Sequence, residues 1–225
     1  MVNNHYTIII PVFNEISTLS NLLKSLKEYY RDGHEIILVD DGSNDGTYEL
    51  AKKHNFIQII RLNQNKGKGT ALIEGLKLAI NDKIIIFDGD LELDPKEIKK
   101  LMILDKRNSI KYSFANRFNK NYSLTIWDIG NKVFTFFFNL LYNSNLRDAL
   151  CCAKSFFLAD LDINSLNSKG FSIDIEINTR LIKINSKVKN IDVDYRRRSI
   201  SQGKKLRLLD GFYILLTIIK NRIEK

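Results

Sequence analysis

The sequence predicts an α/β fold with a mostly parallel central sheet and helices on both of its faces. Three observations lead there. Apolar runs of strand length alternate with stretches of helical period through the first half of the chain. The runs are continuously apolar rather than alternating, the pattern of strands buried on both faces. Three of them end in acid-bearing segments, "PVFNE", "VDDGSNDG" and "FDGDLELDP", and ligand-handling groups collect past the carboxyl ends of such strands.

The elements follow in order. "YTIIIPVF" reads as the first strand, and in "NEISTLSNLLKSLKEYY" the residues Ile16, Leu19, Leu22, Leu23, Leu26, Tyr29 and Tyr30 share a helical face. "EIILVDDGS" is the second strand, with a short helix from about Thr47 to His54. "IQIIRL", a helix from about Gly69 to Ile80, and "KIIIF" continue the alternation. "PKEIKKLMIL" reads as a helix with Asp94 as N-cap, Pro95 at N1 and Glu97 at N3, a cap that contributes about 1 kcal/mol. "YSFANR" is the fifth strand. Beyond Arg117 the alternation stops: "IWDIGNKVFTFFFNLLYN" and "FSIDIEINTRLIKI" read as helices, "KVKNIDVDYRRR" as a strand, and Leu206 to Arg222 as a closing helix. No linker or repeat interrupts the chain, so a single domain over 1–225 is expected.

Composition narrows the function classes. With 44% apolar and 10% aromatic residues in 225, the chain can bury a sizeable core. Its two cysteines are the neighbours Cys151 and Cys152, with no zinc-ligand spacing, which points to a reducing compartment. The start lacks a basic, long-apolar leader pattern, and the best apolar stretches, "VFTFFFNLLY" and "FYILLTII", fall short of the roughly 20 residues of a membrane span. A cytoplasmic protein, free or peripheral on the membrane, is the expectation. The net charge of +9 is uneven: residues 196–225 hold nine Lys/Arg against Asp210 and Glu224, a local excess of +7 that implies an anionic contact there.

The acids of "IIIFDGDLELDP" have two readings, a solvated turn or a divalent-cation site. Hard cations such as Mg²⁺ and Mn²⁺ take one or two protein carboxylates together with substrate phosphates. Asp88 and Asp90, with Gly89 allowing an unusual backbone between them, suit that role, whereas Asp94 belongs to the cap and Glu92 stays unassigned. Asp40 and Asp41 in "VDDGSNDGT" sit where carboxylates can accept from a base or ribose, although turn chemistry explains much of that stretch. "NKGKGTA" lacks P-loop spacing, yet Lys66 or Lys68 beside glycines can meet a phosphate.

The ordered set "IIIPVFNE", "VDDGSNDGT", "NKGKGTA" and "DGDLELDP" resembles the family 2 glycosyltransferases of the GT-A fold. "NRF", "IGNKVFTFFFNLLY", "RDALCCAK", "GFSIDIEI" and "DYRRRSISQGKKLRLLDGFYILLTIIKNR" extend the likeness to the branch of dolichyl-phosphate mannose synthases and polyprenyl-phosphate glycosyltransferases. The resemblance implies a Rossmann-like nucleotide-diphospho-sugar transferase fold, with a nucleotide-sugar-binding half (1–117), an acceptor-side half (118–205) and a C-terminal amphipathic helix (206–225). It implies that Pro11, Asn14, Glu15 and Asp41 hold the nucleotide, joined by Lys68, Asp88 and Arg117. Asp88 and Asp90 would bind Mg²⁺ or Mn²⁺, with Asp90 central to catalysis, while Arg196, Arg198, Lys204 and Lys205 would lie near phosphates. The implied reaction is inverting transfer of a hexose from a UDP- or GDP-sugar to a polyprenyl or dolichyl phosphate.

An alternative is a saccharide hydroxyl acceptor, which needs a carboxylate base; Asp174 and Glu176 are the candidates, against a reading as helix N-terminal acids. A phosphate acceptor, ionised near pH 7, needs none. Leu208, Phe212, Leu215, Leu216, Ile219 and Ile223 follow helical spacing beside Lys204, Lys205, Arg207, Lys220 and Arg222, either to pack on the core or to lie on an anionic membrane. Phe136 to Phe138 with Tyr142 fit a buried helix as well as an acceptor groove. A nucleotidyltransferase would carry a Gly-rich loop after strand one, which "PVFNEIST" lacks. A nucleic-acid binder finds its only support in the basic tail, so no nucleic-acid partner is expected.

Overall fold

The strands of the structure, a computed structural model describing residues 4–118, 126–185, 187–198 and 208–223, join in one sheet. They are β1 (Tyr6–Val12), β2 (Glu35–Asp40), β3 (Gln58–Arg61), β4 (Lys83–Ile86), β5 (Tyr112–Asn116), β6 (Lys154–Phe157) and β7 (Lys189–Asp192). Their order across the sheet is β3-β2-β1-β4-β6-β5-β7. All pairings are parallel except those of β6, which runs antiparallel to both β4 and β5.

The helices are α1 (Ile16–Arg31), α2 (Thr47–Ala51), α3 (Lys68–Leu78), α4 (Ile98–Leu101), α5 (Ile126–Tyr142), α6 (Ile173–Ile184) and α7 (Leu208–Ile223). Strand alternation splits the core in two. Ile8 and Ile10 of β1 pack with Leu19, Leu22 and Leu26 of α1, while Ile9 packs on the other face with Leu72 and Leu76 of α3 and with Ile173 and Ile177 of α6. Both faces of β1 are therefore covered, which is why its apolar run is continuous.

Three elements depart from the sequence reading, and one is β7, which takes only Lys189–Asp192 of the strand expected over "KVKNIDVDYRRR". The helix expected over "PKEIKKLMIL" is a 3₁₀ turn, Pro95–Glu97, followed by the single turn of α4. The cap is as expected: Asp94 accepts from the Lys96 N–H at 2.9 Å. What stops the helix is the sheet. Ser155 donates to the Leu101 carbonyl at 2.8 Å, and the Leu104 N–H donates to the Tyr6 hydroxyl at 3.0 Å, drawing the chain out of helical register. Strand β6, "KSFF", starts on the last residue of "RDALCCAK" and was not foreseen, because that first residue is a lysine whose side chain is fully buried.

Candidate active site

The carboxyl ends of β1, β2 and β4 open into a cleft of about 490 Å³. The loops after β1 and β2, beside the cleft, are knit together by their side chains. Asn14, in the left-handed region at φ 51°, donates its N–H to Ser43 at 2.8 Å and accepts from the Asn44 N–H at 3.0 Å. Asp45 accepts the Ile16 N–H at 3.0 Å, so the second loop caps α1, whose own N-cap residue, Glu15, supplies no side-chain cap. Asp40 is buried and accepts from the backbone and hydroxyl of Ser43. Asp41 accepts from the N–H groups of Lys66 and Gly67 at 2.7 and 2.9 Å, which fixes the loop leading to α3. The Gly69 N–H donates to the Lys169 carbonyl at 2.7 Å. These amides of "NKGKGTA" are thus spent within the protein rather than forming a phosphate cradle.

Beyond β4, Gly89 is required by close approach: a Cβ there would lie 2.5 Å from Val12 Cγ1. The unusual backbone falls instead on Leu91, at φ 59°. This geometry sends Asp88 and Asp90 into the cleft, where each meets a cation. Lys68 Nζ lies 2.8 Å from Asp88 Oδ1 and 2.9 Å from Asp174 Oδ2. Arg198 lies 2.8 Å from Glu15 Oε2 and 3.1 Å from Asp90 Oδ2. Burial and then the neighbouring Asp88 push the Asp90 carboxyl up to about 6, against the pull of Arg198.

Asp174, in the first turn of α6, sits between Lys68 and Lys154. Burial opposes its charge, but the two ammonium groups hold its carboxyl down at about 2. Burial likewise opposes the charge of Lys68, and Asp174 with Asp88 outweighs it, keeping the pKa well above the usual value.

Glu92, unassigned from sequence, anchors the basic segment over the cleft. It accepts from the Tyr195 hydroxyl at 2.8 Å and the Arg198 N–H at 3.0 Å, and its carbonyl accepts the Arg196 N–H at 2.8 Å. Asp148 was also missed. It is buried and takes Arg117 in a fork, at 2.7 Å from Nε and 3.0 Å from Nη2. Arg197 pairs with the buried Asp128 of α5, joining the same segment to the second half. Isolated acids such as Glu92 and Asp148 carry no sequence periodicity that announces a distant arginine.

The cleft gathers Pro11, Glu15, Asp41, Lys68, Asp88, Asp90, Arg117, Asp174 and Arg198 of the predicted set. Asn14, Glu176 and Arg196 are not among its lining residues. Glu176 accepts the N–H groups of Asn167 and Ser168 at 3.0 and 2.7 Å, bonds to the loop before α6 that occupy both oxygens. Lys204 and Lys205 lie outside the described residues. Lys66 contributes its backbone, through Asp41, rather than a cleft-lining side chain.

The second half also presents apolar surface. In α5, Phe138 is buried but Phe136 and Phe137 are exposed, together with Ile129, Val133 and Leu140. In α7 the core side is Ile214 and Ile218, while Phe212, Leu216, Ile219 and Ile223 of the predicted stripe face outward. The helices touch, Tyr142 donating to the Ile218 carbonyl at 2.8 Å. Among the described residues no helix is long and apolar enough to cross a membrane.

A doubly covered, largely parallel sheet with paired acids at the end of β4 fits a glycosyltransferase scaffold, and the chain belongs to glycosyl transferase family 2, whose profile matches residues 7–163. Among curated relatives, an undecaprenyl-phosphate 4-deoxy-4-formamido-L-arabinose transferase from Proteus mirabilis is 36% identical over 44% of this chain and 33% of its own length. A dolichol-phosphate mannosyltransferase from Pyrococcus furiosus is 28% identical over 76% of this chain and 51% of its own. The matches thus span a third to a half of these relatives. The fold is that of glucosyl-3-phosphoglycerate synthase from Mycobacterium tuberculosis, solved with Mn²⁺, uridine diphosphate and phosphoglyceric acid. That superposition has a TM-score of 0.73 at 15% identity and covers 98% of this chain and 79% of the other.

Proposed function

We propose that the protein transfers a hexose from a UDP- or GDP-sugar to a polyprenyl or dolichyl phosphate with inversion, using Mg²⁺ or Mn²⁺. The observation that carries this reading is the cleft itself, where acids and bases from well-separated segments converge at the end of β4. Asp88 and Asp90 offer hard carboxylate oxygens, a donor set that suits a divalent cation completed by diphosphate oxygens. When bound, such a cation neutralises charge on the departing diphosphate. Lys68 and Arg198 are within reach to add to that neutralisation.

The acceptor follows from which carboxylates are available. A phosphate oxygen attacks the anomeric carbon, the carbon–oxygen bond to the diphosphate breaks, and its electron pair leaves with the nucleotide. An acceptor phosphate near pH 7 is already ionised, so no proton has to be removed. A hydroxyl acceptor needs a base. Asp174 is a poor one, held ionised between two ammonium groups, and both oxygens of Glu176 are spent on backbone N–H groups. With Asp88 and Asp90 committed to the cation, this supports the phosphate over the saccharide hydroxyl. The exposed apolar rows of α5 and α7, with Lys132, Lys220 and Arg222 on the same helices, support peripheral seating on an anionic membrane where a lipid acceptor resides.

The testing experiment incubates the protein with a panel of nucleotide sugars, Mg²⁺ or Mn²⁺ and polyprenyl phosphate, and follows sugar entering the lipid phase. Transfer from one donor, abolished in Asp90→Ala, is expected. Unchanged activity in that variant would remove the metal assignment.

A further inference from the structure

We propose that Lys154 is a positioning residue for the donor diphosphate, acting through Asp174 to leave the charge of Lys68 available to the substrate. The inference deepens the donor-site reading above and rests on it. Lys154 opens β6, opposite Ile86 of β4 and Phe114 of β5, and its side chain is 0% exposed. It does not line the cleft. Its Nζ lies 2.9 Å from Asp174 Oδ1 and 3.3 Å from the Asp174 carbonyl. The other carboxylate oxygen, Oδ2, holds Lys68 at 2.9 Å, and Lys68 in turn spans both oxygens of Asp88 at 2.8 and 3.1 Å.

The four groups form a row of alternating charge from the core to the cleft: Lys154, Asp174, Lys68, Asp88. Lys154 balances Asp174 from beneath. The charge of Lys68 is therefore left over for Asp88 and for any anion that enters beside it. Without Lys154, Asp174 would be a buried carboxylate with Lys68 as its cation, and Lys68 would be drawn inward. Packing does not account for the arrangement, since a buried ion pair is often no more stabilising than apolar residues of similar size. A fully buried ammonium, set behind the substrate cation with one carboxylate between them, instead meets a requirement on charge.

The test uses Lys154→Met, similar in length and uncharged, and the double variant Lys154→Met/Asp174→Asn, in which the buried pair is neutral and the introduced amide oxygen can still accept from Lys68. UDP and GDP, and separately uridine and guanosine, are titrated at saturating Mg²⁺ by calorimetry or NMR. In Lys154→Met the affinity for the bound diphosphate should fall by about tenfold or more while nucleoside binding stays unchanged; the double variant should return to within about threefold of wild type. A general structural defect would weaken diphosphate and nucleoside alike. Wild-type affinity in Lys154→Met, or a double variant no better than the single, would overturn the inference. If the single variant does not fold, a folded double variant more than about tenfold weaker than wild type overturns it equally. Failure of the wild-type protein to bind either diphosphate would overturn the donor-site reading itself, an outcome distinct from loss in the variants alone.

Discussion

Around the cleft, charged side chains meet partners of opposite sign: Asp88 with Lys68, Asp90 and Glu15 with Arg198, Asp148 with Arg117. On α5 and α7, by contrast, Phe136, Phe137, Leu140, Phe212, Leu216 and Ile223 stand in the open. The first region is held together by ion pairs. The second leaves apolar area exposed, the kind of surface through which proteins contact apolar partners. A water-soluble ionic donor and a lipid acceptor would call for this division.

The largest effect should come from breaking the ionic region at its base. Asp174→Ala leaves the buried Lys154 and the nearly buried Lys68 without that carboxylate, and a loss of about 3–5 kcal/mol is expected in denaturant unfolding. A loss below about 1 kcal/mol would mean that water or another group compensates the two lysines. Next, Asp90→Ala should lower transfer by at least about 100-fold while leaving the fold intact, as seen by circular dichroism. On the apolar side, Phe136→Ser with Phe137→Ser should weaken sedimentation with anionic vesicles by about tenfold or more, since each ring carries roughly 1.5–3 kcal/mol of burial. Stability in solution should move by only about 0.5 kcal/mol, because both rings are already exposed. Equal vesicle binding by wild type and this variant would detach the apolar faces from any membrane role.

The last effect concerns pH. Asp174 is depressed to about 2 from an unfolded value near 3.9, so its ion pairs contribute fully above about pH 4 and are lost as the pH falls toward 2. Between about pH 5 and pH 8 the pair should add no slope to the unfolding midpoint. Below about pH 4, Asp174→Asn should show a shallower acid loss than wild type, measured by denaturant titration at each pH.

The first region was the more legible. Continuous apolar runs gave β1, β2 and β4, and the polar ends of those runs located the cleft, with Asp88, Asp90, Glu15 and Asp41 in it. Long-range pairing was not legible. Nothing in "LELDP" says that Glu92 will tether a segment from the far end of the chain, and nothing in "RDALCCAK" sets Asp148 under Arg117 or sends Lys154 into the core. Strand β6 was lost for the same reason, since a lysine breaks the apolar pattern unless its buried partner is known. In the second region helical spacing identified α5 and α7, but spacing alone does not say which stripe meets the sheet. The packing chose Ile214 and Ile218 over the Phe212, Leu216, Ile219 row. Likewise Asn14 and Glu176 bear the residue types of a site yet serve the backbone, because a left-handed turn and two loop amides needed them.

On this reading, ionic donor chemistry and an apolar acceptor surface serve transfer to a phosphate that needs no base. The most direct test offers polyprenyl phosphate and the corresponding dephosphorylated polyprenol side by side, in the same vesicles, with the active donor and metal. Transfer to the phosphate alone is predicted. Comparable transfer to the alcohol would contradict the account, since it would demand a proton acceptor that Asp174 and Glu176, as they are held here, do not supply.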